Sequence, residues 1–217
     1  MGRTVSGRAI PGEARAGWLL PAVAFGVLAI LTLLAIGGLL PGDEQVLALA
    51  QGLADGPIGA LSEFLDTLGS FQVWVIVTLA VALLAMERGR RATLVVLGCV
   101  ALAEATSFVL KQVVDRARPP GAVLQGLLDP GFPSGHTARV TALLVLVLAW
   151  WVPRGRWATI GAIVVIPALA VGIARMIVGA HYPSDVVGGW LVGIGATSLV
   201  LLAVGRLGGR SIPEVVR

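Results

Sequence analysis

The chain has two histidines, His136 and His181, and each stands beside residues that could give it chemical work. His181 precedes Asp185 by four positions, with Pro183 between them. Proline suits the first turn of a helix, so Asp185 should fall near the third helical position, with its carboxylate able to reach back to His181. A carboxylate on one imidazole nitrogen fixes the tautomer and leaves the other nitrogen with its lone pair outward, which is what a nucleophilic histidine needs. Read alone, such a pair more commonly stabilises a loop. His136 closes Pro133-Ser134-Gly135-His136, immediately before an apolar run. A helix starting there offers unpaired N–H groups and the positive end of its dipole, an anion site, with Ser134 as cap or phosphate ligand. The same tetrapeptide also reads as a plain capped helix start with an interfacial histidine.

The cations add to this. Lys111 is the chain's one lysine, and Lys111, Arg116, Arg118, Arg139 and Arg175 lie near the two histidines rather than in the arginine-rich connectors. Lys111 and Arg118 are seven apart; if helical, that is two turns and one face, with Pro119 turning Arg118 out of the helix. Snorkelling of both side chains to head groups is the other reading of that pair. Glu104, seven residues before Lys111, would lie on the same face about 10 Å deeper. A lone carboxylate there would be protonated, so it is expected to pair with a basic group, Arg139 first. Asp115 and Arg116 read as an exposed loop pair.

The elements that must hold these groups are membrane spans. Hydrophobic residues make up 57% of the 217 residues and charged residues 13%, against about a quarter charged in ordinary soluble domains; the mean hydropathy is +0.92. Six apolar blocks, about 18–40, 70–86, 92–114, 136–152, 157–178 and 185–205, predict an all-α integral membrane protein. The first block is longer than a signal-peptide core of about 7–15 residues and reads as an anchor. Arg3, Arg8 and Arg15, Arg88, Arg90 and Arg91, Arg154 and Arg156, and Arg206, Arg210 and Arg217 all fall on one side of a six-span chain. That side is cytoplasmic by the positive-inside rule, which makes both termini cytoplasmic and the histidine end external. The net charge of +4 is therefore topology signal, and no nucleic-acid partner is expected. The acidic connector 41–69, broken at Gly56-Pro57, reads as a solvated loop on the bundle rim, or as one or two short interfacial helices. Five tryptophans (Trp18, Trp74, Trp150, Trp151, Trp157) fit an aromatic belt. Gly37-Gly38 and Gly188-Gly189 read as close-packing points, and Cys99 as a small buried hydrophobe. The domain layout is a tail at 1–17, a membrane domain at 18–205 with its motifs at 111–185, and a tail at 206–217.

Taken together, Lys111 with Arg118-Pro119, Pro133-Ser134-Gly135-His136, and Arg175 with His181 and Asp185 resemble the three-part signature of the type 2 phosphatidic acid phosphatases, a superfamily shared with vanadium haloperoxidases. The resemblance covers about residues 64–204. One position departs: Ala174 stands where the family usually has serine. The resemblance implies a six-helix bundle with an extracytoplasmic site, and hydrolysis of a membrane lipid phosphate. His181 would attack phosphorus and form a phosphohistidine, and Asp185 would orient it. His136 would protonate the leaving oxygen and then activate water. Lys111, Arg118, Arg175, Ser134 and Gly135 would hold the phosphate oxygens, with Glu104 and Arg139 in support. No cofactor, metal or obligate protein partner is expected; the partners are the lipid substrate and the bilayer. A bacterial cytoplasmic membrane is the expected location. Undecaprenyl diphosphate comes first among substrates, then phosphatidylglycerol phosphate and phosphatidic acid. A lipid head-group phosphotransferase is the alternative enzyme, and a transporter or scaffold the alternative outside enzymes.

Overall fold

The computed structural model describes residues 11–120, 122, 129–151 and 156–207, and every regular element among them is an α-helix. In chain order these are α1 (Pro11–Ile36), α2 (Asp43–Gln51), α3 (Gly56–Leu68), α4 (Phe71–Met86), α5 (Arg90–Val114), α6 (Gly135–Trp151), α7 (Trp157–Ile177) and α8 (Pro183–Leu207). The six apolar blocks became α1 and α4 to α8. α1 starts at Pro11, before its apolar stretch Gly17–Ile36. Arg3, Arg8, Arg154, Arg210 and Arg217 lie outside the described residues.

By length and composition α1, α5 and α8 are long and apolar enough to cross a membrane. The pair α3 and α4 passes the same test together, bent by 59° at its break, and α6 and α7 contribute shorter apolar stretches. The outside of the bundle is greasier than parts of its inside: Leu33 is 70% exposed and Ile76 67%, whereas Thr137 and Thr197 are fully buried. Each polar group inside must then find a partner inside, and Thr197 Oγ1 donates to Ala142 O at 3.0 Å across α8 and α6.

α8 is the centre, packed on α6, α1 and α5, with α4 against α5 and α7 against α6 and α3. Small residues bring α8 onto α6. A Cβ at Gly189 would stand 1.9 Å from Thr137 Oγ1, and one at Gly193 2.6 Å from Ala138 O. Gly188 and Gly189 are thus close-packing points, as expected. Gly37 and Gly38 are not: they end α1, with Gly38 at φ 118 and open space beside it.

In the connector 41–69, the helical alternative holds and the solvated loop does not. It forms two helices, α2 and α3, that pack against α7. Gly56-Pro57 starts α3 rather than breaking a loop, because proline in the first turn loses no intrahelical hydrogen bond. α5 also stops earlier than the Lys111–Arg118 spacing suggested: Asp115 takes the left-handed conformation at φ 44 and caps the helix. Arg118 therefore reaches the site from the segment after the helix, not from a shared helical face.

Candidate active site

His181 is set by two helix ends. At the C-terminus of α7, Ala180 N–H bonds Arg175 O at 3.0 Å and Gly179 N–H bonds Met176 O at 2.9 Å. This double bond pattern reverses the chain through a left-handed residue, and Gly179 supplies it at φ 70. The next helix begins at Pro183, so Asp185 is its third residue. Asp185 Oδ2 accepts Tyr182 N–H at 2.9 Å and stands 3.5 Å from His181 Nδ1. On the other side of the ring, His181 Nε2 lies 3.1 Å from Arg118 Nη1. A guanidinium can only donate, so Nε2 is the acceptor and the ring proton sits on Nδ1, towards Asp185. Burial, then the charges of Arg175, Arg118 and Lys111, hold the His181 imidazole well below its ordinary range, in the neutral form.

His136 comes from the first turn of α6, capped by Ser134, whose carbonyl accepts Ala138 N–H at 3.1 Å. Ser134 N–H bonds the backbone carbonyl of Asp185 at 2.9 Å, which locks the two histidine segments together. Ser134 Oγ is buried with no partner in the protein. The first-turn N–H groups of α6 are those a helix cannot satisfy internally, and Gly135 lines a cavity of about 460 Å³ with His136, His181, Lys111, Arg118 and Asp129. Gly69, at the elbow of α3 and α4, is needed there because a Cβ would stand 2.8 Å from the His136 ring.

The cations converge, but in this structure carboxylates hold them. Asp129 bridges two: Lys111 Nζ at 2.9 Å and Arg118 Nη2 at 2.5 Å. Lys111 Nζ also donates to Pro130 O, and Arg118 Nε to Asp129 O at 2.8 Å. Burial alone would raise the Asp129 carboxyl, but Lys111 and Arg118 hold it below the usual range, so it is an anion. Arg175 is 1% exposed and pairs with Asp66 of α3, while its Nε and Nη2 are buried without a protein partner. Arg175 lines an adjoining cavity that shares Arg118, so the two cavities meet at that side chain.

Of the supporting residues, Glu104 and Arg139 do pair: Arg139 Nε donates to Glu104 Oε1 at 2.6 Å, and its guanidinium lies 5.5 Å from the Phe71 ring centre. The expected Asp115–Arg116 loop pair is overturned. Asp115 is exposed, but Arg116 is 5% exposed and turned inward to Asp185, Ser184 and Asp43. Asp43, Asp66, Asp129 and Ser184 are not singled out by the sequence, and Arg116, grouped there with the cations near the histidines, is given no inward role. Arg116 lay two residues from Arg118, inside the motif, and that proximity was the available signal. The acids carried none, since each meets its partner across many residues of chain. Among the described residues no group of three or more His, Cys, Asp and Glu is arranged to hold a metal ion.

The model of the PAP2 superfamily matches residues 92–208, more than half of the chain, and the ten site residues expected from sequence lie within that range. The chain belongs to the PAP2 superfamily. It is similar to the decaprenylphosphoryl-5-phosphoribose phosphatase of Mycolicibacterium smegmatis, 35% identical over 68% of this chain and 81% of the relative. It is also 30% identical to the undecaprenyl-diphosphatase of Sulfolobus acidocaldarius, over 63% of this chain and 66% of that one. Its fold resembles a transmembrane PAP2-type phosphatidylglycerolphosphate phosphatase from Bacillus subtilis, with a TM-score of 0.70, 19% identity, and coverage of 91% and 99% of the two chains. As a PAP2 member of this kind the chain is a lipid phosphatase, a hydrolase of phosphoric esters. Asp43 and Asp66 lie outside the matched segment.

Proposed function

We propose that this PAP2 lipid phosphatase hydrolyses a polyprenyl-linked phosphate or diphosphate through a phosphohistidine on His181, at the extracytoplasmic end of a six-span bundle. The observation that carries the mechanism is the orientation of His181: Nδ1 3.5 Å from Asp185 Oδ2 and Nε2 3.1 Å from Arg118 Nη1, with the ring lining the cavity, which supports a proton on Nδ1 and a lone pair on Nε2. Nε2 forms the bond to phosphorus while the bond to the leaving lipid oxygen breaks, and that oxygen takes a proton from His136. His136, now neutral, removes a proton from water; the resulting hydroxide attacks phosphorus, the P–N bond breaks, and Nε2 regains its lone pair. Lys111, Arg118 and Arg175, with Ser134 Oγ and the α6 N-terminus, hold the non-bridging oxygens. Two of these groups, Ser134 and Arg175, have buried donors with no partner in the protein, which suits an incoming acceptor.

The polyprenyl class is favoured because both similar relatives named above act, by their names, on polyprenyl carriers, one with a diphosphate and one with a phosphoribose head group. The arginine distribution supports an external site, with Arg88, Arg91 and Arg156 at the bundle end opposite the histidines, in a membrane proposed to be the bacterial cytoplasmic one. The test is phosphate release by purified protein in detergent, with EDTA present, wild type beside His181→Ala. The substrates are undecaprenyl diphosphate, decaprenylphosphoryl-5-phosphoribose, phosphatidylglycerol phosphate and phosphatidic acid. Release that survives EDTA, is fastest with a polyprenyl lipid and vanishes in the variant supports the reading. Release by folded His181→Ala at the wild-type rate would sink the mechanism. Phosphate appearing on an added alcohol instead of free in solution would make the enzyme a phosphotransferase.

A further inference from the structure

Asp185 has two jobs that conflict, and a residue far from the signature reconciles them. Its Oδ1 takes a hydrogen bond from Arg116 Nη1 at 3.0 Å, while its Oδ2 faces His181. A guanidinium on a buried carboxylate cancels most of its charge as felt by a neighbour. His181 already has Arg118 3.1 Å from Nε2. With Asp185 neutralised as well, the Nδ1 side of the ring would lack a carboxylate to offset the positive charge that grows there as the P–N bond forms.

Asp43, the first residue of α2, supplies the missing charge. It is 3% exposed and pairs with Arg116 Nη2. Its Oδ1 accepts Ser184 N–H at 3.0 Å, and its Oδ2 accepts the Ser184 hydroxyl at 2.7 Å and Leu40 N–H at 3.0 Å. The Ser184 hydroxyl in turn accepts from Arg116 Nη1 at 2.7 Å, and the Tyr182 ring lies 5.1 Å from the guanidinium carbon. Burial raises the Asp43 carboxyl, but the hydrogen bonds from Ser184 and Arg116 outweigh it and keep it an anion. Two carboxylates and one guanidinium make a buried cluster of formal charge −1, and its Asp185 Oδ2 stands 3.5 Å from Nδ1 of the ring that must become cationic.

We infer that Asp43 is a positioning residue for the hydrolysis, acting through Arg116: it occupies that guanidinium so that the charge of Asp185 remains available to His181. The inference rests on the phosphohistidine reading and adds to it a residue outside the segment that defines the family. It also gives α2 a task beyond packing, since α2 brings the second carboxylate to the α8 N-terminus.

The charge count sets the test. Asp43→Asn keeps the shape and leaves the cluster neutral; Asp43→Asn with Arg116→Gln restores −1 on Asp185 alone. With the fastest lipid of the assay above, kcat should fall about 30-fold in Asp43→Asn with KM within about twofold, because the charge matters in the transition state and not in binding. The double variant should recover to within about fivefold of wild type, an interaction of opposite sign to simple damage. Ser184→Ala keeps all three charges and should lose less than about threefold. A folded Asp43→Asn with wild-type kcat overturns the inference, as does a double variant no faster than Asp43→Asn. If Asp43→Asn does not fold, the double variant alone decides: near wild-type kcat supports the charge count, and a 30-fold loss overturns it. Wild-type release by His181→Ala would remove the phosphohistidine reading itself. An inactive His181→Ala beside an unimpaired Asp43→Asn removes only this inference.

Discussion

The two ends of the bundle use arginine in opposite ways. At the histidine end Arg116, Arg139 and Arg175 are each 8% exposed or less and held by a carboxylate from another helix. At the far end Arg88 and Arg91 are exposed and donate to helix C-terminal carbonyls, Trp150 O at 3.1 Å and Val204 O at 3.0 Å. An arginine that satisfies a carbonyl already near water is replaceable. One that is desolvated with a carboxylate is not, because removing either partner strands the other. One residue type is therefore exposed and bound to carbonyls at one end and buried against carboxylates at the other, and the distinction lies in its partners.

The largest effect expected from this contrast is on turnover. His181→Ala should lower kcat at least about 10³-fold, and Arg91→Ala should leave it within about twofold. Equal losses in both would mean that the far end also shapes the site. Next is stability: Glu104→Gln should cost about 2–3 kcal/mol by leaving Arg139 without its carboxylate, against about 0.5 kcal/mol or less for Arg88→Ala. Thermal unfolding in detergent reads both, and a neutral Glu104→Gln would break the comparison.

The pH profile sharpens it further. His181 has its folded pKa depressed below the ordinary 6.5, so it stays neutral and able to attack as pH falls through that value. The acid limb of kcat/KM should therefore lie below pH 6.5. The sign for stability is opposite: the unfolded chain binds a proton there that the folded chain refuses, so this histidine lowers folding stability progressively as pH drops below 6.5. An acid limb at or above 6.5 would contradict the neutral buried ring. The smallest effect is expected of Asp129→Asn, which removes the anion on Lys111 and Arg118 and should lower KM about threefold with little change in kcat.

What the sequence made legible was what it wrote with rare letters. In so apolar a chain, the two histidines, the one lysine and the displaced arginines could be picked out by type, and helix periodicity then gave the depth that paired Glu104 with Arg139. The acids that complete the site were beyond that reach. Asp43 meets Arg116 from 73 positions away and Asp66 meets Arg175 from 109 away, and both sat in a connector whose charge suggested water. Two of its acids, Asp43 and Asp66, have buried arginine partners, which only the fold reveals. Arg116 was misread for the complementary reason: its neighbour Asp115 offered a local partner, and the left-handed turn at Asp115 sends the two side chains apart.

Asp129 gives the site the character of an ion exchanger. Its carboxylate already occupies Lys111 and Arg118, so on the proposed mechanism a phosphate would bind by swapping one anion for another rather than by filling a bare positive pocket. The competing anion is tethered to the protein, with an effective concentration far above that of any free ion. Added salt therefore changes the competition little, and binding should depend only weakly on ionic strength. On the proposed mechanism the same tether would work in reverse after hydrolysis, the returning carboxylate displacing inorganic phosphate.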